Sequence, residues 1–343
     1  VKKQKEKEAK MNRILKVLFF ILVVIIIFNF SSGCGKKEIH YGVLGKCVGP
    51  YWEVVKKGAE DAASELGVKV TVFMPQKEDI PQQIETVETW ISMGFKGMAV
   101  APSDPEALVS PINSSMEKDI PVLTIDTDSP NSNRICYIGT DNYTAGKAAG
   151  EKMAEILDGK GKVAIATGSL TAMNSLERMR GFEDAIKEYP EIEIIEPILC
   201  DNEETPRAVE LAETALLNHP DLNAFFGVYV FNGPSAAKAV KAAGKEGEVH
   251  IVSFDVTDEH LYLIDEGLID ATIAQKQYFM GYEGVRIIHQ INEEGLEAVL
   301  DSLPKNEDGD YIIDTGVDVV SKENLEEYLK QMDKWGIEHT FKL

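Results

Sequence analysis

Six apolar runs in this chain are each followed by side chains able to hold a small polar molecule. The run 39–44 leads into Tyr51 and Trp52, and 122–125 into Asp126, Thr127 and Asp128. The run 162–167 precedes Asn174 and Arg178, and 224–228 precedes Tyr229, Phe231 and Asn232. The run 249–254 ends at Asp255, and 271–274 at Gln275. Hydroxyl groups both donate and accept, and Asp, Asn, Gln and Arg supply the complementary geometry. An aromatic ring covers the apolar face of a pyranose or furanose. A single strand-end aspartate is commonly only a helix cap, but six such ends together point to a cleft for a polyhydroxylated ligand.

The elements that position these residues follow from periodicity. Apolar strands alternate with helical segments at 51–66, 79–93 and 104–118, the last broken before Pro111. After a strand at 135–138 the rhythm restarts. Asp141 caps a helix running to 157, strands 162–167 and 192–199 flank a helix at 175–188, and helices follow at 205–217 and 234–243. A helix at 278–292, a strand pair at 311–313 and 317–320 and a helix at 322–334 complete the chain. Such alternation predicts an α/β fold with two doubly wound parallel-sheet lobes. In an open parallel sheet ligands sit at the strand carboxyl ends, and a cleft between lobes suits a small molecule.

The N-terminal stretch reads separately. A basic run is followed by an almost wholly apolar segment at 14–30 and then Ser31-Ser32-Gly33-Cys34. This is the layout of an export signal. The small residues before Cys34 resemble a bacterial lipobox, in which the cysteine is acylated, although Ser31 replaces the usual aliphatic residue. An uncleaved anchor is the alternative, and both readings tether residues 39–343 outside the cytoplasm, with 1–34 as the signal or anchor.

The formal net charge is −22. So acidic a chain repels phosphate backbones, which argues against nucleic acid. Cys47, Cys136 and Cys200 lack metal or redox spacing, and the six histidines lack ligand spacing, so neither a metal nor a cofactor is expected. The loop at 45–49 is not GxGxxG, and neither a Walker A sequence nor a GxSxG elbow is present. An enzyme is therefore not expected, although Asp126 and Asp255 leave open a carbohydrate hydrolase with paired carboxylates.

GKCVGPYW (45–52), VAPSDP (100–105), PVLTIDTDSP (121–130), YIGTDNYTAG (137–146), TGSLTAMNSLERMRGF (167–182), FFGVYVFNGP (225–234), VSFD (252–255) and ATIAQ (271–275) together resemble the periplasmic sugar-binding proteins of ABC importers. The group is the ribose and galactose/glucose type, and the likeness is greatest to thermophilic glucose/xylose binders. The resemblance implies the type I periplasmic binding fold, with a three-crossing hinge near Thr140, Gln275 and Thr315. It implies an N-terminal lobe of 39–140 plus 276–314 and a C-terminal lobe of 141–275 plus 315–343. It implies a monomeric receptor for a monosaccharide, glucose or xylose favoured, that closes on its ligand and delivers it to an ABC permease.

Tyr51 and Trp52 match the family's ring-covering aromatics. Asp126, Asn174, Arg178, Asp255 and Gln275 match its polar contacts. Thr127 stands where ribose binders carry arginine, Tyr229 where asparagine is usual and Gly49 where a polar residue is usual. These departures argue against ribose. Asn232 is expected to restore the amide lost at Tyr229. A chemoreceptor partner is the other role for this scaffold. A sugar-responsive repressor would need an N-terminal DNA-binding module where this chain has its export signal.

Overall fold

The computed structural model describes Met11, residues 39–306, 309–337 and 339–342. The export signal and Cys34 lie outside the described residues. Among those residues no helix is long and apolar enough to cross a membrane. His40–Leu343 forms one compact unit.

Its first sheet starts at β1 (His40–Leu44), flanked by β2 (Lys69–Phe73) and β3 (Met98–Val100). Next come β4 (Val122–Ile125), β5 (Tyr137–Gly139) and, at the edge, β12 (Ile312–Asp314). Every pairing in it is parallel. Continuous apolar runs such as Val122–Ile125 are buried residue by residue, as expected when both faces of a parallel sheet are covered. The covering helices are α1 (Pro50–Leu66), α2 (Ile80–Met93) and α3 (Val109–Met116).

The second sheet repeats the plan. Its order is β7 (Glu191–Ile194), β6 (Lys160–Thr167), β9 (Ala224–Gly227), β10 (His250–Phe254), β11 (Ala271–Gln275) and β13 (Val317–Ser321). β8 (Leu199–Cys200) also pairs with β6, and only β13 runs antiparallel. Its helices are α4 (Asn142–Ile156), α5 (Met173–Ile186), α6 (Thr205–Asn218), α7 (Asn232–Ala243), α8 (Asp258–Asp265) and α11 (Leu325–Lys334). The chain thus forms two doubly wound lobes of matching strand order. β4 and β10 are counterparts, so Asp126 and Asp255 hold equivalent positions.

The chain crosses between the sheets three times. The first crossing is at Thr140, between β5 and α4. The second is at Lys276, between β11 and α9 (Gln277–Glu294), which packs on α1 and the first sheet. The third is at Thr315–Gly316, between β12 and β13. The crossings are cross-linked. The Thr315 amide donates to the Gly139 carbonyl at 2.8 Å, and the Asp141 amide to the Asp314 carboxylate at 3.0 Å.

Four local features differ from the sequence reading. The helix expected at 104–118 begins only at Val109, because the Asp104 carboxylate closes a turn by accepting from the Glu106 and Ala107 amides. Pro111 falls in its first turn, where a missing N–H costs nothing. The strand expected at 192–199 is two strands, interrupted around Pro197, which has no amide to give to a ladder. The segments at 311–313 and 317–320 do not pair with each other; β12 joins the first sheet and β13 the second. A short helix, α10 (Leu296–Leu300), was not anticipated.

Candidate sugar-binding cleft

A cleft of about 2990 Å³ opens between the carboxyl ends of the two sheets. Small-molecule sites usually enclose roughly 300–1,000 Å³. The cleft is thus larger than one small ligand needs.

On the first lobe, Asp126 ends β4 with a left-handed backbone (φ 62°). Aspartate is among the few residues that tolerate this, and its carboxylate is held by three side chains. The Tyr51 hydroxyl donates to Oδ1. Lys46 Nζ lies 3.0 Å from Oδ2, and the Thr127 hydroxyl donates to the same oxygen at 3.1 Å. Burial alone would raise the Asp126 pKa, but the Lys46 charge and the three donors outweigh it and hold the carboxyl below its usual value. Tyr51 sits in the first turn of α1, where Pro50 follows the capping Gly49. Its ring meets that of Trp52 edge-on at 5.2 Å, and Trp52 is buried beneath it while still lining the cleft.

On the second lobe, Asp255 ends β10 with the same backbone (φ 65°). Gln275 Nε2 donates to its Oδ1 at 2.8 Å, and the Thr140 hydroxyl donates to Gln275 Oε1 at 2.9 Å. Burial raises the Asp255 pKa, and the Asp126 charge adds to this, against the restraint of Arg178 and Gln275. Arg178 lies on α5 and is buried. Its Nε donates to Asn142 Oδ1 at 2.9 Å, a terminal nitrogen donates to the Val228 carbonyl at 3.1 Å, and its guanidinium stands 4.2 Å from the Phe254 ring centroid.

The helix pair that carries Arg178 is brought close by glycine. A Cβ on Gly146 would lie 2.0 Å from the Arg178 carbonyl oxygen, and one on Gly181 would lie 2.0 Å from that of Tyr143. Only side-chain-free positions on both helices allow this approach, and it sets the height of the arginine above β9 and β10.

Asn174 and Tyr229 meet at the same wall. The Tyr229 hydroxyl and the Ser175 amide both donate to Asn174 Oδ1, at 3.1 and 2.9 Å. The amide oxygen is thereby occupied and the Nδ2 donors remain for a ligand.

Nine of the ten predicted residues therefore line one cleft: Tyr51, Trp52, Asp126, Thr127, Asn174, Arg178, Tyr229, Asp255 and Gln275. Asn232 does not. It is 1% exposed, its Oδ1 accepts from the Tyr229 amide at 2.8 Å and its Nδ2 donates to Asp201 at 2.7 Å. Both halves of its amide are spent inside the lobe, shaping the β9–α7 turn, so the expectation that it replaces a lost ligand amide is corrected. Asn232→Ala is expected to cost about 1–3 kcal/mol of unfolding free energy by stranding Asp201, measurable by urea unfolding, rather than to remove a ligand contact.

Lys46, Thr140 and Asn142 belong to the cleft but were missed. A lysine in a strand-end loop reads as solvated, and only its ion pair with Asp126 sets it apart. The signal available was its place, two residues past β1.

The sequence profile of the periplasmic binding protein domain matches residues 42–296. The chain belongs to the periplasmic binding protein family. Among relatives of this binding protein, the D-allose-binding periplasmic protein of Escherichia coli K12 is 27% identical over 304 residues, covering 86% of this chain and 96% of its own. The ribose import binding protein of Haemophilus influenzae is 31% identical over 236 residues, 69% of this chain and 79% of its own. Among solved structures, GanP, a glucose-galactose binding protein from Geobacillus stearothermophilus, superposes with a TM-score of 0.72 at 34% identity. The superposition covers 84% of this chain and 99% of GanP. This binding protein thus falls in the sugar-binding branch of ABC-transporter solute receptors, whose location is extracytoplasmic and whose members are transport binding proteins rather than enzymes.

Proposed function

We propose that this protein captures a neutral monosaccharide, glucose or xylose favoured, by closing its two lobes, and delivers it to an ABC permease. The observation that carries the reading is the pair of equivalent aspartates, Asp126 and Asp255, held ready on opposite walls. Each can accept from sugar hydroxyls. Lys46, Arg178 and Asn174 supply donors, and Tyr51 and Trp52 cover a ring face. Closed-state contacts bias an existing open–closed equilibrium. The lobes are 39–140 plus 276–314 and 141–275 plus 315–343, swinging about the three crossings. Cys34 is the lipid-bearing residue that tethers the receptor, as a monomer, at the outer face of the membrane. Thr127 and Tyr229 replace the side chains usual in ribose binders, and GanP, a glucose-galactose binder, supports a hexose-compatible site. The acidic cleft disfavours anionic ligands.

A thermal-denaturation panel of pentoses, hexoses and their uronic acids tests this. At least one neutral sugar is expected to raise the melting temperature, and the uronic acids to leave it unchanged. A panel without any shift would remove the sugar, and sustained turnover of a bound sugar would favour a hydrolase using the two aspartates.

Lys46→Met adds a pH test. Without the lysine charge, burial is no longer offset and the Asp126 pKa rises. The affinity gap between this variant and wild type is then expected to widen as pH falls from 7 to 5, read by calorimetric titration. A gap constant with pH would show that Lys46 does not govern the charge of Asp126.

A further inference from the structure

The Thr140–Gln275–Asp255 chain joins two of the three crossings to the cleft. Thr140 is 2% exposed and occupies the first crossing; Gln275 is 8% exposed and immediately precedes the second. A glutamine amide at a strand end has several places to put its oxygen. Here the Thr140 hydroxyl donates to Oε1, and Nε2 then faces Asp255 Oδ1. Valine in place of Thr140 would leave Oε1 buried without a donor, a costly state that drives the side chain to seek another partner. The nearest solvated space is the cleft itself, which Gln275 also lines.

We infer that Thr140 is a positioning residue: its hydroxyl holds Gln275 on Asp255 and so links the hinge crossings to the ligand-facing carboxylate. This rests on the sugar-binding reading only for its consequence in affinity; the geometry it describes is that of the ligand-free cleft. The link also gives closure a route to the site. Rotation of the lobes moves the first crossing against the second, and the Thr140–Gln275 bond is made between them.

Asp255 reports on the arrangement. The other groups that act on it or feel it are Arg178 from α5, Asp126 and Tyr51 from the first lobe and Tyr328 from α11. None of these is altered by substitution at Thr140. The titration midpoint of Asp255, assigned by comparison with Asp255→Asn, can be followed by carboxyl-carbon NMR in ligand-free protein. Thr140→Val is expected to raise it, because Gln275 no longer supports the ionised form. Thr140→Ser, which keeps the hydroxyl, is expected to restore the wild-type midpoint.

In parallel, affinity for the sugar that most raises the wild-type melting temperature is expected to fall about tenfold in Thr140→Val and to recover in Thr140→Ser. An unchanged Asp255 midpoint in Thr140→Val overturns the inference, as does failure of Thr140→Ser to restore it. Should Thr140→Val not fold, Thr140→Ala carries the same expectations. If wild type takes no sugar, the proposed function fails, while the midpoint still decides the role of Thr140.

Discussion

Replacing Arg178 by methionine is expected to weaken sugar binding by about a hundredfold or more, and to destabilise the protein as well. Two effects combine. Hydrogen bonds from a charged donor contribute about 1.5–3 kcal/mol each, so losing even two to a bound sugar exceeds a hundredfold in affinity. The guanidinium also ties α4 to the end of β9 through Asn142 and the Val228 carbonyl, and covers the Phe254 ring. Leaving both acceptors unpaired costs about 2–4 kcal/mol of folding free energy. Arg178 is thus part of the lobe as much as part of the site. Arg178→Lys keeps the charge without the planar fork and should fall between wild type and methionine in both measurements. Asp255→Asn separates the two effects, since asparagine tolerates the left-handed backbone while losing the charge. It should lose affinity with little loss of stability. Titration calorimetry and urea unfolding of the three variants check this. Wild-type affinity in Arg178→Met would take the arginine out of the site.

The second large effect is acid sensitivity at His260. This histidine lies on α8, is fully buried and pairs through Nδ1 with the Thr257 hydroxyl at 2.9 Å, while its Nε2 has no hydrogen-bond partner among the described residues. Burial depresses its pKa from 6.5 to about 4. The unfolded chain therefore takes up a proton on His260 between pH 6.5 and about 4 while the folded protein does not. The stability tied to the neutral imidazole is complete above pH 6.5 and is lost as pH falls toward 4. A shift of that size corresponds to about 3 kcal/mol.

Asp201 acts in the opposite sense. Burial raises its carboxyl from 3.8 to about 6, so it favours the folded state as pH falls through the same window. Wild type alone would hide both effects. The expected result is a difference: relative to wild type, His260→Phe gains about 3 kcal/mol between pH 7 and pH 4, because Asp201 is common to both proteins. Urea unfolding at several pH values measures it. A pH-independent difference would mean that His260 takes up protons in the folded state.

Much of the site was legible because the fold makes strand ends into a surface. Asp126 follows a fully buried strand, and Asp255 one buried at all but its first residue. The cleft-lining aromatics Tyr51 and Trp52 were legible for the same reason, since they open the helix after β1. Lys46 was not, because a loop lysine is marked only by the partner it finds, here Asp126 at the end of β4 in the same lobe. Asn232 was misread for the mirror-image reason. An amide near a strand end looks available until its partners, the Tyr229 amide and Asp201, are seen. The Lys46–Asp126 and Asn232–Asp201 pairs join residues far apart in sequence, which periodicity does not encode. The fold errors were local. Pro197 splits one apolar run into two strands, and the run near Asp314 serves two different sheets because the chain crosses between them.

Small-angle scattering, with and without the sugar that most raises the melting temperature, measures whether the two lobes close around a sugar. A decrease in the radius of gyration at saturating sugar, absent in Asp255→Asn, is the predicted result. Stoichiometric binding with an unchanged radius would mean that the lobes do not close on the sugar.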